Sequence, residues 1–256
     1  MKKDIYIIAN WKMQLSNQGA ADLALSLKNY KPSLIGQNLE LVLCPSFTAL
    51  VAVSEAIRDS NIKLGAQNAF YHESGQYTGE VSSTQLKDLG VEYVIVGHSE
   101  RRKYCGENDD SVNRKIKVVL EQGLTPIVCL GETPEERLEK KAEVTIIRQL
   151  TKALEDVDLS GERRIFLTYE PVWAISPAPP ATPQEVDEMT QLIRQLVRDI
   201  YGDGIFEKKI KFIYGGSVDA QNVNSFLEND MVCGALVGGA SLTMDKFVPL
   251  IKKLIT

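Results

Sequence analysis

Three side chains able to do acid–base or electrostatic work stand directly after short apolar runs. Lys12 lies in Asn10-Trp11-Lys12-Met13, after Ile5–Ala9. His98, one of only two histidines, lies in Gly97-His98-Ser99-Glu100-Arg101-Arg102, after Tyr93–Val96. Glu170 opens Glu170-Pro171-Val172-Trp173, after Ile165–Tyr169. Two more runs end in glycine pairs, Gly215-Gly216-Ser217 and Gly238-Gly239. Each feature has a plainer alternative: a solvated lysine, an ion-paired glutamate, a glycine turn. Brought to one mouth, they supply an ammonium, an imidazole, a carboxylate and backbone N–H groups that can approach an anion closely. Apolar cover from Pro171, Val172 and Trp173 is expected to desolvate Glu170 and make it a stronger base. A helix N-terminus pointing at the His98 ring is expected to disfavour the imidazolium and leave a neutral donor. The set fits proton transfer α to a carbonyl on a small phosphorylated substrate. The second histidine, His72, falls in a polar stretch and reads as a surface loop residue.

Convergence of these residues depends on the elements that carry them. Eight β-branched runs recur along the chain: Ile5–Ala9, Leu39–Leu43, Ile62–Gly65, Tyr93–Val96, Pro126–Leu130, Ile165–Tyr169, Ile210–Tyr214 and Ala235–Val237. Most are apolar at nearly every position, as suits strands buried on both faces of a parallel sheet. Between them lie stretches with helical apolar spacing, such as Ala20–Asn29, Val112–Leu120 and Val186–Ile200. Thr133-Pro134-Glu135-Glu136 and Thr182-Pro183-Gln184-Glu185 read as helix starts: a Thr cap, a proline in the first turn, then acids favoured by the helix dipole. Alternating strands and helices without a low-complexity linker predict one α/β domain over residues 1–256. A doubly wound sheet would carry a glycine-rich fingerprint after its first strand. Here the first strand runs into Asn10-Trp11-Lys12-Met13, so an eightfold (β/α)8 barrel is the better reading. Its active site is expected where the strands end.

Composition narrows the partners. The 256 residues carry 29 basic and 34 acidic side chains, net −5. Without a basic block, nonspecific nucleic-acid binding is not expected. Cys44, Cys105, Cys129 and Cys233 are far apart and form no C-x-x-C, so neither a zinc site nor a redox pair is signalled. Cys44, Cys129 and Cys233 read as small buried thiols. The N-terminal apolar run is too short for a signal peptide, and no run approaches the roughly 18–20 residues of a membrane span. A soluble, cytoplasmic protein is expected.

The segments named above, with Tyr77-Thr-Gly-Glu80, Cys129-Leu-Gly-Glu132, Tyr169-Glu-Pro-Val-Trp-Ala-Ile175, Tyr214-Gly-Gly-Ser217 and Leu236-Val-Gly-Gly-Ala-Ser241, resemble the triosephosphate isomerase family over essentially the whole chain. Singly several are weak; in this order they are highly specific. The resemblance implies a single-domain TIM barrel that interconverts dihydroxyacetone phosphate and D-glyceraldehyde 3-phosphate, without metal or organic cofactor. It assigns Glu170 as the base, His98 as the neutral electrophile and Lys12 as stabiliser of the enediolate, a division of roles that is a standard worked case of catalytic pKa tuning. Asn10 matches a residue beside the oxyanion, and Glu100 one that orients the site near Lys12. Backbone N–H groups of Ser176, Ser217, Gly238 and Gly239 match the phosphate cradle. The loop Asn68–Glu80 resembles the family's interlocking dimer loop, with Thr78 reaching Asn10 and Lys12 of the other copy in a homodimer.

One departure is large. The family lid continues Ala-Ile-Gly-Thr-Gly-Lys, whereas this chain reads Ala174-Ile-Ser-Pro-Ala-Pro-Pro-Ala181 at unchanged length. Five of the 10 prolines, and none of the 18 glycines, fall between residues 171 and 183. Proline fixes its own φ and restricts the residue before it. Two readings follow: a lid that closes as a rigid body on altered hinges, or an impaired or engineered lid on a phosphate-binding barrel of low activity.

Overall fold

The computed structural model describes residues 3–30, 38–175 and 178–255. Its strands are β1 (Ile5–Asn10), β2 (Leu39–Cys44), β3 (Lys63–Ala66), β4 (Val91–Val96), β5 (Thr125–Leu130), β6 (Ile165–Tyr169), β7 (Ile210–Tyr214) and β8 (Val232–Val237). They close into a barrel in chain order, and β8 returns to pair with β1. Pairing is parallel, with β1 and β2 in register from Ile5↔Leu39 to Asn10↔Cys44 and β1 against β8 from Tyr6↔Gly234 to Ala9↔Val237.

The helices are α1 (Asn17–Tyr30), α2 (Leu50–Ala56), α3 (Ser83–Asp88), α4 (Ser99–Tyr104), α5 (Asp109–Glu121), α6 (Pro134–Leu138), α7 (Ala142–Leu154), α8 (Pro183–Tyr201), α9 (Ile205–Lys209), α10 (Val223–Leu227) and α11 (Met244–Ile255). Eleven helices among the described residues exceed one per strand because several loops wind short turns of their own. Thr133 and Thr182 cap α6 and α8 with proline in the first turn, as their sequences predict. Each threonine side chain accepts the backbone N–H three residues on, and a glutamate side chain answers the cap's own N–H, so two orphan helix donors are satisfied at each start.

Alternation along each strand sorts the core into two shells. Tyr6, Ile8, Tyr93, Ile95, Ile127, Cys129, Phe166 and Ile213 pack together inside the barrel. Ile7, Ala9, Leu41, Leu43, Val94, Val96 and Leu167 point outward to the helices. Burial on both faces explains why the runs lack polar alternation. The same parity aims functional residues: Asn10 continues the inward series Tyr6, Ile8, and Glu170 continues Phe166, Thr168. Cys44, Cys129 and Cys233 are buried free thiols, and Cys105 is exposed. Strand β8 begins three residues before its expected start at Ala235. Gly234 falls within it, and a Cβ there would lie 1.9 Å from the Tyr6 carbonyl oxygen.

Candidate active site

Asn10, Lys12, His98 and Glu170 line one cavity of about 730 Å³ where the strands end, and Ser217, Gly238 and Gly239 line its other wall. Strand parity places Asn10 and Glu170. His98 departs from it, because Gly97 takes a φ of +74° and turns the chain. His98 then caps α4, its Nδ1 accepting the Glu100 N–H at 3.2 Å. An acceptor at Nδ1 puts the ring proton on Nε2.

That Nε2 lies 3.0 Å from Glu170 Oε1, while the Ser99 N–H donates to Glu170 Oε2 at 3.2 Å. Glu170 is buried with 2% of its surface exposed. Burial is the largest influence on its carboxyl and pushes the pKa up, as expected. The His98 ring, the Ser99 N–H and the Cys129 thiol together outweigh it, and the net direction is downward from 4.5. The same pairing acts on His98. Burial again leads and pulls the ring down, but the Glu170 carboxylate, with Glu100 behind it, carries the pKa above 6.5. Both signs oppose the expectation from burial and helix end alone. The cause they share is a charge-assisted contact between groups following β4 and β6 that meet over Cys129 of the intervening β5. Glu170 is therefore held against His98 and the start of α4 in this arrangement, and the acidity of each is set by the other.

At the opposite side Lys12 has a φ of +51°, in the left-handed region that costs a non-glycine residue energy. Two polar contacts hold this turn. Asn10 Oδ1 accepts the Lys12 N–H at 3.1 Å. Gln67 Nε2 donates to the carbonyls of Lys12 at 2.8 Å and Cys44 at 2.9 Å. The Lys12 ammonium donates to Glu100 Oε1 at 2.5 Å, and Glu100 Oε2 lies 3.8 Å from His98 Nδ1. Glu100 thus stands behind both groups, outside the cavity lining.

On the remaining wall Ser217 Oγ is buried and has no hydrogen-bond partner among the described residues. Its backbone N–H, expected in the anion cradle, donates instead to the Ala174 carbonyl at 3.2 Å. The reason is local: Val172–Ala174 form a 3₁₀ turn at the root of the lid that lies against β7's end. A Cβ on Gly239 would meet nothing within 4 Å, so the backbone faces open space there. At Gly216 a Cβ would fall 2.1 Å from the Tyr214 hydroxyl, which itself accepts the Ala181 N–H at 3.3 Å. Ser176 and Pro177 lie outside the described residues, so Ser176's part in the cradle is not located.

Several contributing contacts carry no sequence signal. Gln67, the Cys129 thiol and the Ser99 N–H act through contacts that only the closed barrel creates. Beneath the lid root, fully buried Glu132 accepts Trp173 Nε1 at 2.6 Å and Tyr169 OH at 3.0 Å. Arg137 stacks over the Trp173 ring at 3.8 Å and bonds Glu185 at the start of α8, so it touches both ends of the lid. Thr78 is exposed on the loop after β3 and does not line the cavity. That loop is clasped by Phe70–Tyr71 and His72–Tyr77 stacking, at 4.2 and 4.8 Å between centroids, and by Arg114 over Tyr71 at 3.6 Å. His72 is half-buried in this clasp rather than free. Among the described residues no group of His, Cys, Asp and Glu could hold a metal ion, and no helix is long and apolar enough to cross a membrane.

A closed (β/α)8 barrel with a carboxylate, an imidazole and an ammonium at the C-terminal ends of its strands defines an acid–base barrel enzyme. Residues 5–254 match the family described as triosephosphate isomerase. The chain is 41% identical over 247 residues to a triosephosphate isomerase of Dictyoglomus turgidum, covering 96% of this chain and 98% of the relative. It is 42% identical over 251 residues to that of Alkaliphilus oremlandii, covering 98% and 99%. The chain belongs to the triosephosphate isomerase family.

Proposed function

We infer that this chain interconverts dihydroxyacetone phosphate and D-glyceraldehyde 3-phosphate by proton transfer through an enediolate. The observation that carries the reading is the meeting of Glu170, His98 and Lys12 in one cavity whose far wall presents Ser217 Oγ and the Gly238-Gly239 backbone. Glu170 leaves His98 and the Ser99 N–H and takes the C1 proton of the ketone. The C1–H pair becomes the C1–C2 double bond, and the carbonyl pair moves to O2. There the Nε2–H of His98 and the Lys12 ammonium meet the developing oxyanion, with Asn10 beside it. Without the Glu170 carboxylate against it, a buried ring accepting an N–H at Nδ1 is held neutral, so it can give and retrieve one proton between O1 and O2. Return of the proton from Glu170 to C2 completes the aldehyde. Lys12 keeps its place through Glu100 and Gln67.

The phosphate is held by Ser217, Gly238 and Gly239, and by the Ser176 amide that the family pattern assigns there. Closure of the lid exchanges the Ala174 carbonyl for phosphate as partner of the Ser217 N–H. The functional unit is a homodimer: Met13, beside Lys12, is 94% exposed, and Tyr77 of the clasped loop is 41% exposed. A neighbouring copy covering both brings Thr78 to Asn10 and Lys12. The enzyme works in the cytoplasm, without metal or organic cofactor and without nucleic-acid or membrane partners. Turnover in deuterated water tests the chemistry. Solvent deuterium entering C1 or C2 of recovered substrate and product is expected; conversion with no solvent isotope would replace proton transfer by a hydride shift.

A further inference from the structure

The opposite end of the barrel, where the strands begin, holds a second cleft of about 660 Å³. Lys87 of α3, Arg163 and Arg164 before β6, Lys208 and Lys209 of α9, and Lys211 of β7 line it, against the carboxylates of Asp4, Glu92 and Glu162. Basic side chains outnumber acidic ones twofold here, in a chain whose net charge is −5. Some of these charges are already spent. Arg163 pairs with Asp158 at 2.7 Å, Lys209 donates to the Gly161 carbonyl, and Glu92 is taken by Lys63 at 3.0 Å.

Among the described residues four cations of the cleft have no carboxylate within 4 Å. Among the described residues, too, the side chains of Lys87 and Lys208 have no hydrogen-bond or ion-pair partner. Arg164 gives one N–H to the Tyr93 hydroxyl at 2.9 Å, a neutral acceptor. The Lys211 ammonium stands 5.7 Å from the centre of the Tyr6 ring. A purely structural role for charge at this end would appear as ion pairs. Two carboxylates of the lining, Asp4 and Glu162, likewise have no ion pair among the described residues, and the Tyr93 hydroxyl passes its own proton to Glu40. Four unpaired cations against two unpaired acids still leave an excess of positive charge, which raises the local potential and which a multivalent anion relieves. Half-buried Arg164 offers the planar fork that suits phosphate oxygens, and the lysines supply point charges around it.

We propose that the cleft at the strand-start end of the barrel binds a diphosphate group, a compact polyanion matched to Arg164, Lys87, Lys208 and Lys211. The site is separate from the catalytic mouth, and the inference does not rest on the reaction carried out there. Calorimetric titration of the full-length protein with inorganic pyrophosphate tests it. The mouth is first saturated with 2-phosphoglycolate, so that phosphate binding among the active-site residues is blocked. Binding is expected to remain, to weaken with added salt, and to fall at least tenfold in the double variant Lys87→Gln, Lys208→Gln. Both lysines are exposed and unpartnered, so the variant should keep its fold and its isomerase kcat/KM. ADP is run alongside. Comparable binding lost in the same variant identifies a nucleotide diphosphate as the source; binding of pyrophosphate alone identifies a free polyphosphate; both support the site. Absence of pyrophosphate binding to the phosphoglycolate-saturated protein, or equal affinity in the double variant, would overturn it.

Discussion

Glu132 offers a quantitative test of how the lid root is held. Its buried carboxylate serves two donors, the Trp173 indole N–H and the Tyr169 hydroxyl, and lies 3.5 Å from the Arg137 guanidinium. Glu132→Leu keeps bulk but leaves both donors without an acceptor, at about 1–3 kcal/mol for each buried group. Trp173 is half-buried and can recover some hydration, which places the total near the lower half of the range, about 2–4 kcal/mol. Glu132→Gln retains one oxygen for the two donors and loses mainly the charge assistance, about 1–2 kcal/mol in all. The leucine variant is thus expected to be the less stable by roughly 1–2 kcal/mol. Urea unfolding followed by fluorescence reads this directly, because the chain has only two tryptophans and Trp11 is 1% exposed. Native-state emission should change in the leucine variant through Trp173, three residues beyond the base, and kcat/KM should fall further than in the glutamine variant. Equal unfolding midpoints and equal emission in the two variants would refute the assignment of Glu132 as the hydrogen-bonding anchor of the lid root.

Other consequences are as direct. Glu107 accepts the Gly97 N–H at 2.9 Å and faces Arg101 at 2.6 Å and Lys115 at 3.2 Å. Burial leads and pushes its pKa up, but these partners prevail and hold it below 4.5. A depressed folded pKa gives stability that is present above the unfolded value and lost as pH falls through the folded one. The fall in urea midpoint between pH 6 and pH 3 should therefore be shallower in Glu107→Gln; an unchanged slope would contradict it. Gly215→Ala would bring a Cβ 2.7 Å from Glu170 Cγ and 2.6 Å from Thr168 Cγ2; a stability loss of about 1–3 kcal/mol with a lowered kcat is expected, and unaltered kinetics would show that Glu170 is not confined there. Pro179 and Pro180 are exposed, so replacing each by glycine should lower stability by about 0.4–1 kcal/mol through the unfolded chain, while any change in kcat or phosphate affinity measures what the rigid lid does to closure. Shortening the Asn68–Glu80 loop should yield monomers of reduced activity by sedimentation and assay; a fully active monomer would remove the interlocking role.

How far the sequence reveals this site depends on whether a residue's surroundings are local. The barrel is legible because strands buried on both faces leave unbroken β-branched runs, and Asn10 and Glu170 are legible because strand alternation continues into them. The Thr133 and Thr182 caps with proline in the first turn are local too and appear as expected, while the reciprocal glutamate bond to each cap is added by the structure. Gln67 carries no local mark, and although Cys129 and Glu132 fall in a segment that matches the family, what they bond is not legible, since their partners lie tens of residues away. The acidity of His98 and Glu170 shows the limit most clearly. Burial is a local inference and acts on both groups in the direction expected, yet the His98–Glu170 contact at 3.0 Å, with Glu100 behind His98 and the Ser99 N–H and Cys129 thiol at Glu170, reverses both net signs. The Ser217 amide is similar: its cradle position is readable, but its engagement by Ala174 follows from where the lid root lies.

The proposed mechanism turns on Glu170 moving the proton. Steady-state isomerisation by Glu170→Ala, coupled to oxidation or reduction of the product, tests it most directly. A fall in kcat of about 10²–10⁴-fold is predicted, the usual span for a positioned general base, with folding and phosphoglycolate binding retained. Turnover undiminished in the alanine variant would contradict the claim.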